Sequence, residues 1–254
     1  MSEIASARPP RVFVPDLAEH RAGAQENREI LLSKEERAHV RSRRLHDGDE
    51  VVALDGKGAR ARARLMGGGT ALSLIAFEAS SSSTPRLPGE PAKRVTVALA
   101  CAEPARVEWA VEKGTECGAA GFVLLACGRS QKAHVTALSS PARLARLRRI
   151  AVEATKQCDR TLVPFVEGPK STEEFLRNVS GREAFFVLDP SGLTAARPAP
   201  QGDLVVAIGP EGGFAPAEIS SFAEKSPVFL SLGPRVLRLE TAVAAALVRL
   251  VDGG

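Results

Sequence analysis

Three short segments of this chain of 254 residues have the composition of a small-molecule site. They read Leu188-Asp-Pro-Ser-Gly192, Ile208-Gly-Pro-Glu-Gly-Gly213 and Leu232-Gly-Pro-Arg-Val-Leu-Arg238, and each continues an apolar run into a turn of Gly and Pro. Glycine permits close backbone approach and positive φ, so main-chain donors and acceptors can face a ligand. The second segment is the most distinctive, because Ala215-Pro216-Ala217-Glu218 after it reads as the opening of a helix. Strand-to-helix glycine turns often hold phosphates. This one lacks the lysine of G-x-x-x-x-G-K-[ST], does not fit G-x-G-x-x-G, and puts Glu211 in the middle of the cradle. A ligand with a positive centre, or a neutral adenosine moiety read by backbone amides, suits it better.

Two arginine clusters are the other chemically loaded features: Arg37, Arg41, Arg43 and Arg44, and then Arg143, Arg146, Arg148 and Arg149. Such patches favour phosphate through bidentate hydrogen bonds and steering, while a solvated face is the plainer reading of each alone. The four cysteines form no C-x-x-C pair, and the four histidines are scattered, so reduced thiols and no metal are expected. Apolar runs are far shorter than a bilayer span, and the opening residues show no charged-then-apolar leader. The expectation is a cytoplasmic protein.

The elements that must position these groups fall into two sets. Residues 80–92, SSSSTPRLPGEPA, have linker composition and divide the chain into 1–79 and 93–254. In the first part, Arg11–Val14, Glu50–Leu54, Ala59–Leu65 and Ala71–Phe77 read as strands, the third by its strict alternation of period two. Ser33-Lys-Glu-Glu36 is a capping-box pattern that should start a short helix carrying Arg37, Arg41 and Arg44. A small β-barrel with one inserted helix follows. The second part alternates strand and helix, with strands at Val95–Ala100, Phe122–Ala126, Ala184–Leu188, Leu204–Ile208 and Val228–Leu232. That alternation predicts an α/β fold with a parallel sheet covered on both faces, and ligands bind such sheets beyond the carboxyl ends of the strands. The last helix, Thr241–Leu250, is apolar nearly all round and must be buried in its own core or against a second subunit.

The segments G-P-E-G-G-F and L-G-P-R-V-L-R-L-E-T-A (Leu232–Ala242) resemble the RsmE-type family of small-subunit (16S) ribosomal RNA uridine N3-methyltransferases, of the SPOUT superfamily. The resemblance covers nearly the whole chain. Pro10–Phe13, Arg41–Asp49, EWAVEKGTECG (Glu108–Gly118) and EATKQCDRTLVP (Glu153–Pro164) are similar to further family motifs. It implies a PUA-like N-terminal barrel that binds RNA, a linker at 80–92, and a C-terminal SPOUT domain with a trefoil knot. It also implies a homodimer acting on the small ribosomal subunit, and S-adenosylmethionine bound in the knot. The cofactor residues it implies are Leu188, Ile208, Gly209, Pro210, Glu211, Gly212, Gly213, Leu232, Gly233, Leu237, Arg238, Thr241 and Ala242. On the same basis Arg238 stabilises the anion developing on uridine, and Glu240 orients it or helps remove the N3 proton. Arg11, Arg41 and Arg44 match family positions for RNA contact, and Lys113 and Arg129 extend that track. The chain departs from the family pattern at Ser42, Arg43, Glu103, Ala105 and Asp159, and Ala215 stands where a capping Ser or Thr is common. A family member acting on another RNA, or one that binds RNA without transferring methyl, would share most of these residues.

Overall fold

The computed structural model describes residues 8–21, 29–78, 87–179, 184–193 and 202–251. Residues 80–86 of the expected linker lie outside them. The chain divides into two compact units, Met1–Glu90 with Thr155–Leu162, and Pro91–Ala154 with Val163–Gly254.

The first unit is a five-stranded mixed sheet. Its strands are β1 (Arg11–Phe13), β2 (Glu29–Leu31), β3 (Glu50–Leu54), β4 (Arg60–Met66) and β5 (Ala71–Phe77), in the order β1-β3-β4-β5-β2. Only the β1–β3 pair is parallel. In β4 every second residue is buried, so Ala61, Ala63 and Leu65 enter the core while Arg62 and Arg64 meet Glu50 of β3 outside. Helix α1 (Lys34–Ser42) starts where the capping pattern predicts it, with Ser33 Oγ accepting from Glu36 N–H at 3.2 Å. The reciprocal half of the box is replaced by a long-range pair: the Glu36 carboxylate is buried against Lys156 Nζ at 2.7 Å. The short strand β2 was not expected from sequence. Its three residues expose two side chains and give no usable period.

The second unit is a six-stranded, wholly parallel sheet in the order β11-β9-β10-β6-β7-β8. Its strands are β6 (Val95–Ala100), β7 (Ala119–Ala126), β8 (Phe165–Ser171), β9 (Ala184–Leu193), β10 (Leu204–Ile208) and β11 (Val228–Leu230). One face is covered by α2 (Pro104–Glu116), α4 (Pro141–Gln157) and α7 (Leu239–Val251), with Phe122, Leu147, Val206 and Leu247 in the core between. The other is covered by α5 (Thr172–Asn178) and α6 (Pro216–Ala223) over a cluster of Phe175, Phe185, Phe214 and Phe222. A short α3 (Lys132–Leu138) precedes α4. The expected α/β fold is therefore present, and so is a barrel-like mixed sheet before it. Helix α4 opens with Pro141 first and Ser140 Oγ accepting from Arg143 N–H at 3.1 Å. No helix of the described residues is long and apolar enough to cross a membrane.

Candidate functional site

The strands β11, β9 and β10 are neighbours, so the three glycine-proline segments that follow or interrupt them come together at one edge of the second unit. There they enclose a cavity of about 210 Å³. From β9 it takes Leu188, Asp189 and Pro190; from the end of β10, Ile208, Gly209, Pro210, Glu211 and Gly213. From β11 and the loop beyond it come Leu230, Leu232, Gly233, Arg235, Val236 and Leu237, and from α7 Leu239 and Ala242. Ten of the thirteen residues expected from the resemblance are in this lining. Gly212, Arg238 and Thr241 lie outside it.

Each wall has a local cause. In β9 the ladder to β11 jumps from Val187↔Phe229 to Leu193↔Leu230, so residues 188–192 are thrown out of register, and Leu188, Asp189 and Pro190 line the cavity. The sequence suggested a strand ending at Leu188; instead the strand resumes after this bulge. Gly192 makes the bulge feasible, since a Cβ there would lie 2.7 Å from Leu230 N. After β10, Gly213 N–H closes a turn onto Pro210 C=O at 2.7 Å, with Gly213 at φ 72°. Gly209 is needed for space: an added Cβ would meet the buried Phe214 ring at 3.2 Å. The loop after β11 is anchored by Ser231, whose Oγ accepts from Gly233 N–H and whose carbonyl accepts from Arg249 of α7 at 2.8 Å.

The lining is apolar along Leu188, Ile208, Leu232 and Leu237, with two carboxylates, Asp189 and Glu211, and one guanidinium, Arg235. That composition fits a ligand with an apolar or aromatic body and a cationic centre, and lacks a phosphate-binding lysine. Glu211 also forms an ion pair with Arg106 of α2, and so ties the β10 loop to that helix.

The expected catalytic pair is placed beside the cavity. Arg238 is exposed, and its guanidinium has no hydrogen-bond or ion-pair partner among the described residues. Glu240, in the first turn of α7, is 7 % exposed, and its Oε2 is buried without a hydrogen-bond partner. The two are not ion-paired to each other.

The expected RNA contacts divide. Arg41 and Arg44 are exposed and unpartnered among the described residues. Arg11 is 11 % exposed and donates to Asp159 Oδ1 at 2.8 Å, where Arg60 also donates at 2.7 Å. Burial opposes ionisation of Asp159, but hydrogen bonds and charge from Arg11 and Arg60 outweigh it and hold the carboxyl below its ordinary range. Lys113 sits between Glu112 and Glu116, 2.9 Å from each, and their hydrogen bonds raise its pKa. Arg129 donates to Gly212 C=O at 2.5 Å. In the second arginine cluster, Arg143 and Arg146 both grip Glu108 of α2, whose carboxyl is thereby lowered against the opposing effect of burial, and Arg148 donates to Val166 C=O. Of the four only Arg149 lacks a side-chain partner among the described residues, so that cluster mainly joins α2, α4 and β8. None of the four cysteines is in a disulfide, and burial pushes the Cys101 and Cys127 thiols up to about 12.

Sequence reasoning missed Asp189, Pro190, Leu230, Arg235, Val236 and Leu239. Five of these stood inside the quoted segments, but which side chains face inward depends on the β9 bulge and the path of the last loop.

Comparison with known proteins places these features. The model of an RNA methyltransferase domain matches residues 89–251. The ribosomal RNA small subunit methyltransferase E of Mycobacterium bovis is 33% identical over 216 residues, which span 81% of this chain and 79% of that protein. The protein of the same name from Bacillus subtilis is 29% identical over 80% of this chain and 82% of its own length. Among solved structures, the methyltransferase E of Neisseria gonorrhoeae, bound to S-adenosyl methionine, superposes with a TM-score of 0.80 at 22% identity, covering 94% of this chain and 95% of that one. A Legionella pneumophila protein, also holding the cofactor SAM, superposes with a TM-score of 0.80 at 25% identity over 97% of this chain and 99% of its own.

Proposed function

The chain belongs to the ribosomal RNA small subunit methyltransferase E family of RNA methyltransferases, and from that premise we propose how its residues perform the reaction. It is an S-adenosylmethionine-dependent methyltransferase of 16S ribosomal RNA in the small subunit, and the base we assign is uridine, modified at N3. The observation that carries the reading is the cavity at the joined ends of β9, β10 and β11. Leu188, Ile208, Leu232, Leu237 and Ala242 offer apolar contact to an adenine ring, while Gly209 and Gly213 bring backbone groups within reach. Asp189 and Glu211 favour a cation, and Arg235 is a counter-ion for an amino-acid carboxylate.

When bound, the cofactor would supply an electrophilic methyl group for N3, with the neutral thioether as the leaving group. Alignment is the main requirement of such a displacement. Uridine N3 carries a proton at neutral pH, so the chain must also accept that proton and stabilise the anion on the flanking carbonyls. Arg238, with its unpartnered guanidinium, takes the second task. Glu240, buried in the first turn of α7, helps with the first or orients Arg238.

In this reading the first unit is a PUA-like RNA-binding domain, with Arg41 and Arg44 as its phosphate contacts. The second unit carries the trefoil knot and the catalytic site, and pairs through α7 in a cytoplasmic homodimer. The test is methyl transfer from labelled S-adenosylmethionine to small ribosomal subunits lacking the modification, with mass spectrometry of the product nucleoside. N3-methyluridine is expected. Label in transfer RNA or on another base would replace the target, and no transfer from a protein that binds subunits would make it a non-catalytic relative.

A further inference from the structure

We propose that Glu218 is a positioning residue for the cofactor loop, locking Gly209–Gly213 by joining three separate elements. The inference rests on the function proposed above.

Glu218 lies in the first turn of α6, outside the cavity lining, and its carboxylate takes three hydrogen bonds. Oε2 accepts from Ala215 N–H at 2.7 Å. Oε1 accepts from Gly128 N–H at 3.0 Å, in the loop after β7, and from the Thr172 hydroxyl at 2.8 Å, where β8 passes into α5. The carboxyl ends of β7, β8 and β10 are thereby held by one group, although β6 separates β10 from β7 in the sheet. Ala215 has no side chain to cap α6, so the carboxylate supplies the cap from three residues later and still has one oxygen for the other ties.

The connection to the site runs through a short stretch. Residues 209–211 and 213 line the cavity, and the chain reaches Glu218 five residues after Gly213. Between them Phe214 is buried, its ring packed on Phe222 with centroids 4.8 Å apart and resting against Gly209. The same β7 loop contributes Arg129, whose guanidinium holds Gly212 C=O at 2.5 Å. Gly212 and Gly213 have no side chains of their own to hold them in place. Their order therefore comes from Arg129 on one side and from Phe214 and Glu218 on the other. A pre-ordered loop binds without the cost of ordering it at that moment.

The experiment measures S-adenosylmethionine affinity by calorimetry, steady-state kinetics, and the thermal midpoint without cofactor. Glu218→Ala should weaken affinity and raise KM about tenfold, the equivalent of one charge-assisted hydrogen bond, with kcat at saturation within about threefold of wild type. Ala215→Ser added to that variant restores a side-chain cap but not the ties to Gly128 and Thr172. It should recover the thermal midpoint and leave the affinity low. Thr172→Val, which removes a single donor, should weaken affinity about threefold and covers the case in which Glu218→Ala does not fold. Wild-type affinity in Glu218→Ala or Thr172→Val, or recovery of affinity along with stability in the double variant, overturns the proposal. Failure of the wild-type protein to bind the cofactor overturns the proposed function itself, and this inference with it.

Discussion

Arg11 and Arg60 close on Asp159 at 2.7–2.8 Å, whereas Arg238 holds nothing among the described residues. The contrast decides what each substitution should do. Arg238→Ala is expected to lower kcat at least about a hundredfold, on the scale of one lost electrostatic contact to the transition state, with cofactor affinity changed less than threefold. Single-turnover kinetics beside calorimetry would check it, and equal losses in both would remove the assigned role. Asp159 should matter to stability instead. Its folded pKa is lowered, so its contribution is present above the ordinary aspartate value near 3.8 and is lost as pH falls through the folded value. Asp159→Asn keeps a residue that tolerates the φ of 66° and should cost about 2 kcal/mol at pH 7. Urea unfolding should show that difference shrinking below about pH 4. The motifs pointed to Arg238 directly. The Arg11–Asp159 pair was illegible because its members stand 148 positions apart and no local pattern links them.

Among the elements, Gly192 belongs to neither a turn nor a left-handed position; it is where β9 and β11 touch backbone to backbone. Gly192→Ala should force the strands apart and cost about 2 kcal/mol, in the range of overpacking a rigid site. Thermal unfolding should also show a smaller cofactor-induced shift, because the displaced β9 carries Leu188 to Pro190. The strand–helix alternation and the Ser33 cap of α1 were readable, since period and end signals are local. The β9 bulge was not, because it depends on which residue of β11 lies opposite. Likewise α3 and α5, at seven residues each, are too short to show a helical period against background.

For the whole molecule, the apolar final helix was read as buried or shared, and in one chain it is largely buried against the sheet and α2. Val248 stays 58 % exposed on it, and Trp109 of α2 stays 56 % exposed. The proposed homodimer should cover them. Sedimentation velocity should give a dimer for wild type and a monomer for Val248→Glu, with Trp109 emission shifted to the red in the monomer. The exposed Arg41 and Arg44 make a second expectation: RNA affinity should fall with salt at a log–log slope of about 0.7 per phosphate contact. Arg41→Ala combined with Arg44→Ala should reduce that slope by about 1.4.

The first unit includes Thr155–Leu162, so it is not contiguous along the chain. On a translating ribosome this imposes an order of events. Everything up to Glu90 emerges first, but Lys156, Asp159 and Arg160 follow only after some seventy further residues. At about 5–20 residues per second that is a delay of roughly 4–14 s, during which Glu36, Glu90, Arg11 and Arg60 await the partners they hold in the finished fold. The amino-terminal unit thus cannot mature before about two-fifths of the next has been synthesised. Protease resistance of stalled nascent chains should rise only once residue 162 has left the exit tunnel.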